Sequence, residues 1–182
     1  SIIADARSAR MQKTMNLKIK FRESFRPFAP SVLRERLSDY FEIATDTPYM
    51  LLTAQVKKEL MRDLSKEERQ FTGLQLLNVP KSEIPAITHV DGSARIQSVH
   101  AETNPRYHAL LKAFEARTGC GVVVNTSFNV RGEPIVCTPL DAYKCFMRTE
   151  MDRLVLGNHY LLKEEQPADM KNRLELEEFA PD

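Results

Sequence analysis

Basic side chains at five positions have the chemistry needed to bind a phosphorylated ligand. They are Lys20, Arg22, Arg26, Arg95 and Arg131. The first three lie next to Pro27-Phe28-Ala29-Pro30, whose two prolines restrict the backbone and would hold Arg26 in place. An Arg95 that points inward from its mostly apolar segment would need a phosphate or carboxylate partner. We therefore expect the five cations to converge on one concave anion site. The alternative is a solvated cationic surface.

A second group of polar side chains follows an apolar run. Gly121-Val122-Val123-Val124 is typical of a short buried strand, and Thr126, Ser127 and Asn129 come directly after it. In α/β folds, ligands bind where such strands end. The stretch therefore predicts a binding loop, although an ordinary strand-to-helix connection would also favour Ser, Thr and Asn.

His89 lies beside the dipeptide Asp91-Gly92, which favours a tight turn between two strands. We interpret Ile84 to His100 as a hairpin around this turn, with Ile87, Ile96 and Val99 as apolar strand positions. A histidine on such a strand can serve catalysis, but more often it is a hydrogen-bonded structural residue.

The remaining pattern predicts an α/β (α+β) fold, a twisted mixed β-sheet with packed helices. We expect strands at residues 17–22, 49–56, 122–124, 154–156 and 159–162. We expect helical structure at residues 5–16, 31–37, 103–117 and 139–148. Thr138-Pro139-Leu140-Asp141 has the cap, proline and acid of a helix start. Residues 57–83 are interpreted as an exposed helical insertion, and residues 163–182 as a surface tail.

Composition limits the class of protein. The chain has 182 residues, 42% hydrophobic and 28% charged, with a net charge of +1. These values suit one globular domain with an insertion and do not require nucleic acid or an anionic membrane as partner. No apolar run approaches the roughly 18–20 residues that span a bilayer. Cys120, Cys137 and Cys145 lack zinc-ligand spacing and indicate free thiols of a cytoplasmic protein. The opening Ser1-Ile2-Ile3, without Met, suggests a fragment of a longer protein.

Three motifs, in this order, carry a resemblance to a known family. They are Phe25-Arg26-Pro27-Phe28-Ala29-Pro30-Ser31, Thr88-His89-Val90-Asp91-Gly92-Ser93-Ala94-Arg95 and Asn125 to Val136. In addition, Lys20-Phe21-Arg22 and Ser127-Phe128-Asn129 resemble the Lys-x-Arg and Ser-x-Asn signature of YrdC-like, ATP-binding domains. Residues 1–162 together resemble the YrdC-like C-terminal domain of antibiotic and nodulation-factor O-carbamoyltransferases.

The resemblance implies that this domain joins carbamoyl phosphate and ATP into carbamoyl-adenylate. It also implies a missing N-terminal domain of the same polypeptide, with a bound metal, that passes the carbamoyl group to a hydroxyl. Mg²⁺ is expected with the nucleotide. Gathering two phosphorylated substrates requires several fixed cations, which agrees with the residues singled out above.

The same resemblance suggests roles for individual residues. Lys20, Arg22 and Arg26 would hold phosphates, and Arg95 and Arg131 would add bidentate contacts. Thr126, Ser127 and Asn129 would bind triphosphate oxygens or orient Mg²⁺ ligands, and His89 would donate to the carbamoyl carbonyl. We count Lys20, Arg95 and His89 as catalytic. The remaining six count as cofactor-binding, and no residue of this chain is assigned to a metal.

Two alternatives remain open at this point. The domain could be catalytically idle and only stabilise its partner domain. It could also bind nucleic acid, which the near-neutral charge and the lack of interleaved aromatic and basic residues disfavour.

Overall fold

The computed structural model describes residues 1–77, 79–168 and 170. Two sheets and five α-helices are found in these residues. The strands are β1 (Ile2–Asp5), β2 (Ala29–Leu33), β3 (Leu52–Gln55), β4 (Ser93–Val99), β5 (Val122–Thr126), β6 (Arg153–Leu156) and β7 (His159–Leu162). The helices are α1 (Met11–Met15), α2 (Leu37–Tyr40), α3 (Leu74–Leu77), α4 (Pro105–Thr118) and α5 (Pro139–Arg148). The chain divides into two compact units, of which the first holds residues 1–12 and 25–126, and the second holds residues 13–24 and the chain from 127.

The first unit contains a five-stranded sheet in the order β1-β5-β2-β4-β3. β2 and β4 are parallel, whereas β1 and β2 each run antiparallel to β5, and β3 runs antiparallel to β4. Val122, Val123 and Val124 are buried, as expected for β-branched residues on an inner strand. The mixed sheet with packed helices confirms the predicted α/β fold class.

Helix α4 covers one part of this sheet. Asn104 caps its start by accepting a hydrogen bond from the Tyr107 amide, and Gly119, at φ +73°, ends it in the left-handed conformation that glycine adopts without strain. Leu111 packs with Leu33, Val99 and Val123 of the sheet. The helix predicted for residues 103–117 is therefore confirmed.

Residues 57–83 form a mostly exposed excursion of the first unit. They contain two 3₁₀ turns, at Lys58–Leu60 and Glu68–Gln70, and the short helix α3. A bridge between Met61 and Ser82 joins the two ends of the excursion. The two ends of the excursion therefore lie side by side.

The second unit contains α5 and the β6–β7 hairpin. Thr138 and Asp141 form a reciprocal capping box at the start of α5, with Pro139 in the first turn. β6 and β7 pair antiparallel around Gly157, whose φ is +59°. These elements confirm the sequence predictions for residues 139–162. Residues 163–165 form a 3₁₀ turn, and the part of the predicted tail at 169 and 171–182 lies outside the described residues.

Four local predictions were wrong. Residues 16–20 form a π-helical turn, so the strand predicted at 17–22 does not exist and does not join the sheet. The segment before Asp91 is a series of turns, and β4 pairs antiparallel with β3 rather than with residues 84–90. Residues 31–33 belong to β2, and the helical turns start only at Arg34. In residues 5–16, Asp5 belongs to β1 and only residues 11–15 form an α-helix.

Arg95 is not the inward-pointing guanidinium that would need a buried anion partner. Its side chain is exposed on β4 and does not point into the core. Across the described residues, no helix is long and apolar enough to cross a bilayer.

Candidate functional site

The first unit contains a cavity of about 440 Å³. Its lining comes from four stretches of the chain, which contribute Gln12, then Phe25 and Pro27, then Leu77, Val79 and Lys81, and finally residues between Pro85 and Asp91. Two of the three motifs noted in the sequence, at residues 25–31 and 88–95, thus contribute to one cavity wall. The volume falls within the range of small-molecule sites, about 300–1,000 Å³.

Side-chain hydrogen bonds hold the walls of this cavity. Gln12 donates through Nε2 to the carbonyl oxygens of Phe25 (2.9 Å) and Arg26 (3.2 Å). The Thr88 hydroxyl donates to the Ile84 carbonyl at 2.9 Å, so the Ser82 hydroxyl, 2.7 Å away, donates to Thr88 Oγ1. Because these donors and acceptors are paired inside the protein, they position the cavity wall rather than a ligand.

His89 is half-buried and lies in a tight turn closed by two backbone hydrogen bonds. Its amide donates to the Ser93 carbonyl at 2.8 Å, and the Gly92 amide donates to the His89 carbonyl at 3.1 Å. Gly92 has a φ of +80°, and an added Cβ would lie 3.1 Å from Gln55 Oε1. The turn therefore requires the glycine that the Asp-Gly dipeptide provides.

A short relay connects His89 to Asp91. The Ser93 hydroxyl donates to Asp91 Oδ1 at 2.7 Å, and the Ser93 amide donates to the same oxygen at 3.0 Å. His89 Nδ1 lies 3.1 Å from Ser93 Oγ. The bonds from Ser93 lower the pKa of Asp91, which therefore stays ionised. Burial lowers the pKa of His89, an effect that Asp91 opposes and Arg95 reinforces, so the imidazole is neutral at pH 7.

Two cations of the first unit keep hydrogen-bond donors available. Within the described part of the chain, the exposed Arg95 guanidinium has no hydrogen bond or ion pair. Lys81, on the cavity wall, donates through Nζ to the carbonyls of Leu76 (2.8 Å) and Val79 (3.3 Å). An ammonium has three N–H donors, so one remains, and among the described residues no carboxylate pairs with it. Burial lowers the pKa of Lys81.

Lys20, in the second unit, is in the opposite situation. Its side chain is buried, with only 4% of the residue exposed. Nζ donates to the carbonyl oxygens of Ser127 (2.6 Å) and Asn129 (2.9 Å), and it contacts Ser127 Oγ (3.2 Å) and Asn129 Oδ1 (2.8 Å). Burial and the charge of Arg22 lower the pKa of Lys20 to about 8. The ammonium therefore binds the Ser127–Asn129 loop of the protein itself.

Further bonds fix the same loop and the π-helical turn. Ser127 Oγ donates to Asn129 Oδ1 at 2.6 Å, and Asn129 Nδ2 donates to the Glu133 carbonyl at 2.7 Å. In the turn, Arg22 Nε donates to Asn16 Oδ1 at 2.7 Å. Arg131 Nη1 lies 3.4 Å from Glu23 Oε1 in an exposed pair.

The sequence-predicted site residues are divided between the two units. His89, Arg95, Arg26 and Thr126 belong to the first unit, and Thr126 is the last residue of β5. The residues of the second unit are Lys20, Arg22, Ser127, Asn129 and Arg131. The structure joins Lys20, Ser127 and Asn129 directly. Convergence of all five cations on one surface stays a prediction.

Sequence reasoning missed two parts of the first unit. Lys81 gave no recognisable signal, because it belongs to a charge-rich insertion without a motif. The second part is a buried network on the sheet, in which Asn125 Nδ2 donates to Ser31 Oγ (3.0 Å) and Gln97 Oε1 (2.8 Å), and Ser31 donates to Gln97 (2.6 Å). Asn125 and Ser31 stand inside quoted motifs, so polar residues in those buried strands were the available signal.

Residues 1–163 match the family model of the carbamoyltransferase C-terminus. The chain belongs to this family. An uncharacterized protein of Synechocystis sp., sll1178, is 63% identical to the chain over 182 residues, which cover 100% of the chain and 30% of that protein. Nodulation protein NolO of Bradyrhizobium diazoefficiens is 39% identical over 175 residues, covering 94% of the chain and 28% of NolO.

A third relative is named for its reaction. The 3'-hydroxymethylcephem-O-carbamoyltransferase of Amycolatopsis lactamdurans is 38% identical over 136 residues, which cover 75% of the chain and 22% of that enzyme. The chain thus spans between a fifth and a third of the length of these relatives. The family assignment confirms the resemblance drawn from the three motifs.

Proposed function

We propose that this domain activates carbamoyl phosphate with ATP, forming carbamoyl-adenylate. The reaction consumes one water and releases phosphate from carbamoyl phosphate and pyrophosphate from ATP. Mg²⁺ accompanies the nucleotide in this proposal and offsets the charge of its phosphates. A larger N-terminal domain of the same polypeptide then transfers the carbamoyl group to a hydroxyl of the acceptor substrate. The resemblance implies that this N-terminal domain binds a metal.

One observation carries the proposal. Two motifs far apart in the chain, at residues 25–31 and 88–95, supply walls of the same cavity. The cavity is lined by the neutral imidazole of His89 and by Lys81, whose third donor is available. Arg95 belongs to the second of these motifs and is exposed without an ion pair among the described residues. A small ligand with a phosphate fits a cavity that has an available ammonium donor on its wall.

Family membership supports the same function. One relative is named as a cephem O-carbamoyltransferase, and carbamoyl transfer to an alcohol requires an activated carbamoyl group. Lys20 contributes in this proposal through the loop that it holds, because its ammonium is already bound by oxygens of Ser127 and Asn129. The catalytic and binding roles of the other predicted residues stay proposals.

The direct test is carbamoyl-phosphate-dependent exchange of labelled pyrophosphate into ATP, catalysed by this chain with Mg²⁺. We expect exchange only when carbamoyl phosphate is present. Exchange that is absent, while both ligands bind, would support the idle-domain alternative instead. Detection by mass spectrometry of a carbamoylated alcohol made by this chain alone would contradict the proposed division of labour.

The variant Arg95→Ala tests whether Arg95 binds the phosphate of carbamoyl phosphate. We expect it to weaken binding of carbamoyl phosphate about tenfold or more, because a charge-assisted hydrogen bond contributes roughly 1.5–3 kcal/mol. Lys58→Ala is the control, because Lys58 is exposed in the 57–83 excursion. Equal affinities of the two variants, measured by calorimetry, would remove Arg95 from the site.

A further inference from the structure

The hydrogen bonds around Ser93 determine which ring nitrogen of His89 carries the proton. A hydroxyl has one hydrogen, and the Ser93 hydroxyl donates it to the ionised Asp91 carboxylate at 2.7 Å. Towards His89 Nδ1, 3.1 Å away, Ser93 Oγ can therefore only accept. The neutral imidazole thus carries its hydrogen on Nδ1, and Nε2 has a free lone pair.

Nε2 is also the ring nitrogen left for a ligand. His89 lines the cavity, and Nε2 forms no hydrogen bond within the part of the chain that the structure describes. A neutral ring in this tautomer cannot donate through Nε2. A ligand that meets this atom with an N–H gains a hydrogen bond, whereas one that meets it with a methyl group leaves a half-buried acceptor unpaired.

We propose that His89 Nε2 accepts a hydrogen bond from the amino group of carbamoyl phosphate and so selects it over acyl phosphates that lack an N–H. This inference rests on the proposed function and deepens it. His89 acts as an acceptor for the amino group, in place of the donor role towards the carbonyl that the sequence suggested. Asp91 and Ser93 act as positioning residues, because their hydrogen bonds set the tautomer of His89.

Acetyl phosphate is the appropriate probe, because it replaces the amino group of carbamoyl phosphate by a methyl group of similar size. We expect the wild-type chain to bind carbamoyl phosphate at least about tenfold more tightly than acetyl phosphate. His89→Ala should reduce this ratio to near one. Ser93→Ala should reduce it in part, because the ring then exchanges between two tautomers. His108→Ala is the control, since His108 lies on α4 and pairs with Glu35.

The ratio of the two affinities separates ligand selection from a structural role of His89, because a damaged cavity would weaken binding of both ligands equally. If His89→Ala fails to fold, the wild-type chain is measured at about pH 8 and at a pH below the lowered pKa of His89, where the protonated ring can no longer accept. The other charges that act on the ring are those of Asp91, whose own pKa is lowered by its bonds from Ser93, and of Arg95. The ratio should fall at the lower pH.

Three results would overturn the inference. They are an unchanged ratio in His89→Ala, a ratio independent of pH, and a wild-type chain that binds both phosphates equally well. Carbamoyl-phosphate-dependent pyrophosphate exchange together with any of these would leave the proposed function in place and remove only the role of His89. Failure of the wild-type chain to bind carbamoyl phosphate at all would overturn both.

Discussion

Lys20 is buried and Lys81 is partly buried, and the two lysines differ in whether their ammonium groups have an unused N–H donor. Lys20 contacts four oxygens of the Ser127–Asn129 loop, more acceptors than its three N–H donors can satisfy at once. Lys81 donates to two carbonyls and keeps one donor at the wall of a cavity. The ammonium of Lys20 is fully used in contacts within the protein, whereas the ammonium of Lys81 has one N–H donor left that can bind a ligand.

This difference changes how the sequence motif is understood. A Lys-x-Arg motif beside a Ser-x-Asn motif suggests a phosphate contact for every cation. In the structure, the lysine of the first motif binds the serine and asparagine of the second. Its effect on a ligand is then indirect, through the backbone and side-chain oxygens that it orients.

The largest expected effect follows from removing the Lys20 ammonium. Lys20→Met leaves two carbonyl oxygens and two side-chain oxygens without their charged donor in a buried position. We expect the free energy of unfolding of the second unit to fall by about 3 kcal/mol, since each unsatisfied buried group costs roughly 1–3 kcal/mol. Urea denaturation followed by circular dichroism measures this loss.

Lys18→Met is the matched control, two residues away in the same π-helical turn. The Lys18 side chain is 51% exposed and pairs with Glu150 at 2.5 Å. Exposed pairs contribute at most about 1 kcal/mol, so this variant should unfold near the wild-type midpoint. Equal midpoints for Lys20→Met and Lys18→Met would show that the contacts of Lys20 do not stabilise the loop.

An intermediate effect is expected from Lys81, and on binding rather than stability. Lys81→Ala removes the remaining donor of the cavity wall and should weaken binding of carbamoyl phosphate about tenfold, as for one charge-assisted bond. Lys58→Ala is again the control, because it alters the charge of the same excursion at an exposed position. Unchanged affinity in Lys81→Ala would mean that Lys81 serves only to bind the backbone carbonyls of Leu76 and Val79.

The elements that sequence analysis predicted well have their signals close together in the chain. The Thr138 and Asp141 capping box, Asn104 and Gly119 at the two ends of α4, and the three valines of β5 are all recognisable within a few residues. These features depend on local backbone geometry and on burial of a continuous apolar run. They required no knowledge of the rest of the molecule.

The wrong predictions depend on partners far away. Residues 17–22 alternate in type, but Leu17 and Phe21 are 47% and 50% exposed, while Lys20 is buried. The oxygens that allow a buried Lys20 lie 107 and 109 residues further along. The antiparallel partner of β4 is likewise the distant β3, not the adjacent segment. The relay of His89, Ser93 and Asp91 was not predicted either, although its three residues lie close together in the chain.

The smallest expected effect concerns pH and sharpens the comparison between the two lysines. The pKa of Lys20 is lowered to about 8 by burial and by Arg22, against about 10.4 in an unfolded chain. Between these two values the unfolded state binds more protons than the folded state, so stability rises with pH across this window. The advantage of the wild-type chain over Lys20→Met should therefore grow from about pH 7.5 to about pH 9.5.

Cys145 has to be removed from this measurement. Burial raises the pKa of its thiol to about 11 and the charge of Lys20 opposes this, so the Lys20→Met substitution would change the titration of Cys145 as well. The unfolded thiol therefore ionises first, and that titration makes stability fall with rising pH over nearly the same range. When both proteins carry Cys145→Ala, the difference in urea midpoint between the chain that retains Lys20 and the Lys20→Met variant reports on Lys20 alone. A difference that shrinks with rising pH would mean that the hydrogen bonds to the four oxygens raise the pKa of Lys20 more than burial lowers it.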